Sequence, residues 1–124
     1  MGKKKINAIV YLSTKCTLRD STEKENRQLR YIEDYARANN IHIKDIVRRD
    51  VLGRNESDLK WRRIAARIRK GEADAVLLAG MACVSTNIPE AFAKIGQIVV
   101  AGGRVYTVDE GELYMKLNIP EVKG

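Results

Sequence analysis

The sequence predicts a single-domain, three-layer α/β fold built on a mostly parallel four-stranded sheet. Three observations carry this. Short apolar runs recur at 6–12, 41–47, 75–79 and 104–108, the length and texture of strands. Between them lie segments with helical spacing of apolar residues, bounded by capping and stop signals. The alternation of the two implies a parallel sheet with right-handed crossovers. At 124 residues the chain is one domain with room for a real core. That core is expected over about 6–112, with a short tail over 113–124.

The first strand, 6–12, is apolar enough to be central. A polar linker leads to a helix over about 22–39, where Thr22 and Glu25 read as a capping box. Leu29, Ile32 and Ala36 mark its buried stripe, with Tyr35 alongside. Glu23/Arg27, Arg30/Asp34 and Glu33/Arg37 stand as i,i+4 pairs on its outer side. Asn39 and Asn40 supply a left-handed stop. The second strand, 41–47, places Ile41, Ile43, Ile46 and Val47 in irregular alternation. A charged, glycine-containing loop over 48–57 is expected to be mobile. The second helix, 58–70, buries Trp61, Ile64, Ala65 and Ile68 and ends at Gly71.

The third strand, 75–79, is a continuous apolar run between Gly71 and Gly80, as expected of a strand covered on both faces. The third helix, 88–101, opens with Asn87 as cap, Pro89 in the first turn and Glu90 three residues after the cap. It is expected to bury Ala91, Phe92, Ile95, Ile98 and Val99. Chemistry in such sheets collects where strands end and helices begin. Residues 80–86 therefore overlook any active site, yet they offer only Cys83 and two hydroxyls.

Several function classes fall away on composition. The chain has one histidine, His42, and two distant cysteines, Cys16 and Cys83. A structural zinc site or a histidine-based triad has no material to form from. No Walker loop or G-x-G-x-x-G occurs, so no nucleotide or other small-molecule cofactor is expected. No apolar run approaches the roughly 20 residues of a membrane span. Lys3 to Lys5 reads as a solvated end, not a signal peptide, and Ile6 stands where a myristoylation site needs Ser or Thr. No membrane association is expected, and the expected compartment is cytoplasmic.

The formal net charge is +7. Between Arg48 and Lys70 lie nine basic residues against three acidic ones. Arg48, Arg49, Arg54, Lys60, Arg62 and Arg63 are the candidate nucleic-acid contacts, since a polyanion suits such a segment. The competing reading is a solvated basic face. Trp61 and Tyr31 offer rings for base stacking, although their helical spacing also fits core or rim positions. Cys83, at a strand end beside a helix start, is either a reactive thiol or a packing residue.

The order of these features resembles the N-terminal catalytic domain of serine site-specific recombinases, the resolvase/invertase family, over about 6–112. The similar stretches are Ala8, Ile9, Val10, Tyr11 and Leu12 followed by Ser13 and Thr14, and Gln28 seven residues before Tyr35. To these add the spacing of Ile64, Ile68 and Gly71 through Val76, and the ending Val105 to Val108. The resemblance implies strand order 2-1-3-4. It also implies DNA as partner, and oligomers or an active recombinase as further partners. In that family a serine after the first strand attacks a DNA phosphate, and surrounding arginines stabilise the charge that develops.

Residue by residue, the carry-over is partial. An ungapped match puts Ser13 on the family's arginine and Lys15 on its nucleophile. A two-residue deletion puts Ser13 on the nucleophile and removes the arginine. The arginine that opens the family's second helix falls on Asp58. The family's Asp-Arg-Leu-x-Arg-Asn falls on Ala82, Cys83, Val84, Ser85, Thr86 and Asn87, keeping only the capping asparagine. Ser13 is thus the candidate catalytic residue, expected to be an unactivated hydroxyl. Three readings stand: a catalytically impaired recombinase-like module that binds DNA or a recombinase partner; an active strand transferase using Ser13; or a small α/β interaction domain without nucleic acid. About a dozen residues follow Glu112, which leaves both a stand-alone module and an excised domain open.

Overall fold

A computed structural model describes residues 5–13, 18–48, 54–85 and 87–113, with the side chains of 18–22 and 54–57 outside the description. Among the described residues the order is β1 (Ile6–Leu12), α1 (Leu18–Ala38), β2 (Ile41–Arg48), α2 (Arg54–Arg69), β3 (Ala75–Leu78), a short 3-10 turn (Met81–Cys83), α3 (Ile88–Val100), β4 (Arg104–Thr107) and β5 (Gly111–Leu113). The sheet runs β2-β1-β3-β4-β5. The first four strands are mutually parallel, in the order expected.

β1 and β3 are central, and their unbroken apolar runs follow from burial on both faces. Alternate side chains feed two separate cores. Ile9, Tyr11, Val76, Leu78 and Val105 meet Trp61, Ile64 and Ile68 of α2 and Ala91, Ile95 and Ile98 of α3. Ala8, Val10, Leu12, Ala75 and Leu77 meet Ile32 and Ala36 of α1. The result is three layers: one helix, the sheet, two helices.

Trp61 ties the two-helix layer together. Its ring is 1% exposed and meets Tyr11 edge to face, with centroids 5.3 Å apart. Its indole Nε1 donates to the Lys94 carbonyl of α3 at 2.9 Å, so the buried donor is satisfied. Asp58 reinforces the same helix pair through Lys94 Nζ at 2.8 Å.

β2 explains its own irregular pattern. Its pairing with β1 shifts register between Ala8 and Ile9, so that Ala8 faces Ile43 but Ile9 faces Asp45. One extra residue in a strand swaps the faces of all that follow. Ile41 and Ile43 therefore join the α1 side, while Val47 joins the α2–α3 side. The same shift turns Asp45 toward α2, where Arg67 Nη1 holds it at 2.6 Å.

Stop signals behave as expected. Asn40 takes φ 58° after α1, and Gly71 takes φ 83° after α2. The Asn87 side chain accepts from Glu90 N at 3.0 Å and caps α3.

Five expectations need correction. A fifth strand, Gly111–Leu113, pairs antiparallel with β4 across a tight turn in which Gly111 takes φ 78°. Three residues are too few to show a strand pattern in sequence. α1 begins at Leu18, not near 22, so Thr22 lies inside the helix and is no cap. Its supposed box partner, Glu25, is fully buried and pairs with Arg48. α2 begins at Arg54, not at 58, so 54–57 are helical, and the rest of the stretch expected to be mobile, 49–53, lies outside the described residues. Phe92 is 45% exposed, because α3 turns Ala91, Ile95 and Ile98 inward and leaves 92 on its flank. Among the exposed pairs, Glu23–Arg27 forms at 2.7 Å, whereas Arg37 takes Asp34 at i,i+3 instead of Glu33.

Candidate functional site

The candidate site lies at the carboxyl ends of β1 and β3. Ser13 follows the last residue of β1 and is 7% exposed. Among the described residues no strand pairs with β1 at Ser13, and α1 supplies its main-chain partner. Gln28 Oε1 accepts from Ser13 N at 2.9 Å, and Gln28 Nε2 donates to Ser13 O at 3.1 Å. The amide thus imitates one rung of a sheet. Its nitrogen also reaches Cys83 Sγ at 3.6 Å. Ser13, Gln28 and Cys83 therefore form one cluster where β1, α1 and the loop after β3 converge.

Among the described residues, the charge shown near this cluster comes from a segment that sequence reasoning passed over. The turn after β4 carries Asp109 and Glu110 over the loop that begins at Gly80. Glu110 Oε1 accepts from Met81 N at 2.8 Å. Asp109 lies close over Gly80, where an added Cβ would stand 2.5 Å from its Oδ2 and would push that exposed carboxylate aside. Tyr31 Oη of α1 donates to Asp109 Oδ1 at 2.8 Å and closes the rim. Its signal in the sequence was an acidic pair ahead of Gly111 after the last recognised strand.

Two side chains register the field of this rim. Hydrogen bonding to Asp109 comes first in raising the Tyr31 phenol above its ordinary pKa, with Asp109 and Glu110 adding repulsion of the phenolate. Burial comes first in raising the Cys83 thiol, and the same two carboxylates push in the same direction. A raised thiol is a protonated, sluggish nucleophile. Cys83 accordingly reads as a packing residue, in partial contact with both cores. Tyr31 reads as a rim residue and Trp61 as core.

The predicted basic contacts do not stand together. Arg48, at the end of β2 opposite Leu12, turns its guanidinium to α1. It meets Glu25 Oε1 and Asn26 Oδ1, each at 3.3 Å. Lys60 Nζ donates to the Arg48 carbonyl. Arg62 lies in a groove between α2 and α3, and Arg63 is exposed on α2. Arg54 lies in the first turn of α2 with its side chain outside the description, and Arg49 falls outside the described residues. Asp58, at the position where the resemblance expects an arginine, is engaged with Lys94.

Among the described residues, no group of three or more His, Cys, Asp or Glu side chains converges to hold a metal. No helix among them is long and apolar enough to cross a membrane.

The architecture has counterparts among solved structures. A resolvase family site-specific recombinase from Streptococcus pneumoniae matches with a TM-score of 0.71 at 16% identity, over 86% of this chain and 74% of that one. The C-terminal catalytic domain of ISC1926 TnpA, an IS607-like serine recombinase, matches at 0.68 and 18%, over 83% and 67%. The N-terminal catalytic domain of TP901-1 integrase matches at 0.65 and 14%, over 85% and 78%. No family model and no curated protein matches the chain. The fold is that of serine recombinase catalytic domains, as the motif order implied. At these identities the likeness concerns the fold and nothing finer.

Proposed function

We propose that this chain is a recombinase-fold module that does not cleave DNA and acts by contact, holding DNA or an active recombinase partner. The observation that carries this is the setting of Ser13. Its main chain is fixed by Gln28, but among the described residues no arginine hydrogen-bonds to it. The rim at the same end of the sheet is built with carboxylates, from Asp109 and Glu110. Phosphoryl transfer is mostly positioning plus cationic stabilisation of phosphate oxygens. Carboxylates in that place repel the phosphodiester instead. Losing a single positive donor typically costs on the order of 10²–10³ in rate.

DNA contact falls to the outer face of α2. Arg63 and Lys70, the latter in the turn that closes α2, are exposed and seven residues apart; Lys70 N still donates to Ala66 O at 3.1 Å, so the two lie on one helical stripe. Each phosphate neutralised contributes about −0.9 to the slope of log K against log salt. Reversing both charges, Arg63→Glu with Lys70→Glu, lowers that slope by about 2.

The test incubates the protein with supercoiled plasmid and looks for a covalent protein–DNA adduct on a denaturing gel. Wild type is expected to give none. An adduct that Ser13→Ala abolishes would overturn the proposal in favour of an active strand transferase. A salt titration on a duplex tests the DNA arm. A flat response at low salt, with a partner pull-down insensitive to nuclease, would assign the chain to protein interaction alone.

A further inference from the structure

α2 carries a second cationic stripe with a different outlook. Arg62 and Arg69 are also seven residues apart, but they stand roughly 100° around the helix from Arg63 and Lys70 and face α3. They flank a groove of about 450 Å³ between the two helices. Its floor is small and mostly apolar, from Ala65 and Ala66 of α2 and Gly96 of α3. Its far wall is formed by Gln97 and by Val100, which is 68% exposed. A smaller depression of about 230 Å³, lined in part by Asp58, Glu90 and Lys94, extends the groove past Arg62 toward the start of α3.

We infer that this groove receives an amphipathic helix of a partner protein, with acidic residues seven apart that meet Arg62 and Arg69. Small residues on both walls let a third helix approach to packing distance, and Val100 offers it apolar area. The two guanidinium stems leave α2 about 10 Å apart along its axis, from a rise of 1.5 Å per residue. That is too far to clasp one phosphate or carboxylate, and equals the spacing of i and i+7 side chains on a facing helix. A nucleic-acid backbone would find an apolar floor where its phosphates need donors. Lys94, the other cation nearby, is already held by Asp58 at 2.8 Å and Glu90 at 3.8 Å. Among the described residues, Arg62 and Arg69 form no ion pair with an acidic side chain of the chain itself. The inference rests on the groove and is independent of DNA binding at Arg63 and Lys70.

The test is an NMR titration of the full chain with a synthetic 18-residue helical peptide, leucine and alanine on its inner face and glutamates seven apart. A lysine-for-glutamate version and a 20-base-pair duplex serve as competitors. The expected result is movement of the Ala66, Gly96 and Val100 amide signals, with at least tenfold tighter binding of the glutamate peptide than of the lysine peptide. Arg62→Glu with Arg69→Glu should invert that preference. Ala66→Trp, which fills the groove and leaves the charges intact, should weaken binding at least tenfold with an unchanged melting curve. Arg63→Glu with Lys70→Glu should leave peptide binding unchanged, which separates this groove from the DNA face. Equal or absent binding of the two peptides, or shifts confined to other residues, overturns the inference. So does a duplex that moves the same three signals as tightly.

Discussion

Gln28 holds Ser13 by both of its main-chain groups, accepting from its N–H at 2.9 Å and donating to its carbonyl at 3.1 Å. The bond pair ends β1 in a fixed direction and anchors α1 to the sheet at the candidate site. A side chain that replaces a strand rung is hard to substitute. Gln28→Ala leaves two partly buried main-chain groups without protein partners, a cost of about 1–3 kcal/mol. Urea unfolding should show that loss as a lower midpoint with an unchanged slope. Gln28→Glu keeps the acceptor and loses the donor, so its midpoint should fall between the two. A midpoint for Gln28→Ala equal to wild type would mean that the clasp is incidental.

The pair Glu25–Arg48 carries a second prediction. Glu25 has a side chain 1% exposed, while Arg48 is about one third exposed, and they meet at 3.3 Å. A buried carboxylate depends on its donors, so truncating the arginine is worse than neutralising the acid. Arg48→Ala is expected to cost about 1–3 kcal/mol, and Glu25→Gln clearly less. The double variant should recover part of the Arg48→Ala loss. A double-mutant cycle with no coupling would show that the pair holds nothing.

Cys83 gives a kinetic prediction. Burial and the adjacent carboxylates raise its pKa, so the fraction of thiolate near neutral pH falls below that of a free cysteine. In a Cys16→Ser background, alkylation of native protein at pH 8 should be much slower than in urea. Asp109→Asn with Glu110→Gln should accelerate the native reaction modestly, since burial is the larger cause. A native rate equal to the unfolded rate would contradict the described environment.

Much of this fold was legible because its signals are local. Asn87, Pro89 and Glu90 announced α3 within four residues, and β1 and β3 announced themselves as continuous apolar runs. The stripe Trp61, Ile64, Ala65 and Ile68 was legible for the same reason, since helical period and burial agree there. What escaped depends on distant partners. Glu25 looked like half of a capping box because its sequence neighbour Thr22 fitted, whereas its pairing with Arg48 spans 23 residues and leaves no local signal. The acidic pair Asp109–Glu110 was visible, but not its role as a rim, because its targets, Tyr31 and Met81, come from other elements. The irregular apolar pattern of β2 was visible, but not the register shift that reconciles it.

The legible cap can be checked directly. Asn87 Oδ1 accepts from Glu90 N at 3.0 Å, satisfying one donor of the first turn of α3. Asn87→Ala should cost about 1 kcal/mol and Asn87→Ser nearly nothing, read from urea midpoints. Equal losses for both would place the contribution of Asn87 elsewhere.

The last prediction concerns pH. Arg67 holds Asp45 at 2.6 Å and Glu72 at 3.0 Å, joining β2, α2 and the start of the β3 approach. The hydrogen bond from Arg67, then that from Ile46 N–H, lowers the Asp45 pKa below its ordinary 3.8. A carboxylate with a depressed folded pKa binds fewer protons in the native state than in the unfolded one. Its contribution is therefore complete above about pH 4 and disappears as pH falls through the lower folded value. Asp45 is 49% exposed, so solvent and salt screen the pair and the contribution is small. The urea midpoint of wild type should exceed that of Asp45→Asn by a constant margin from pH 7 to about pH 4. Between there and about pH 2 the two curves should converge, and 1 M salt should narrow the gap at neutral pH. A margin that persists unchanged in acid would show that Asp45 contributes through packing or its Ile46 contact, and not through its charge.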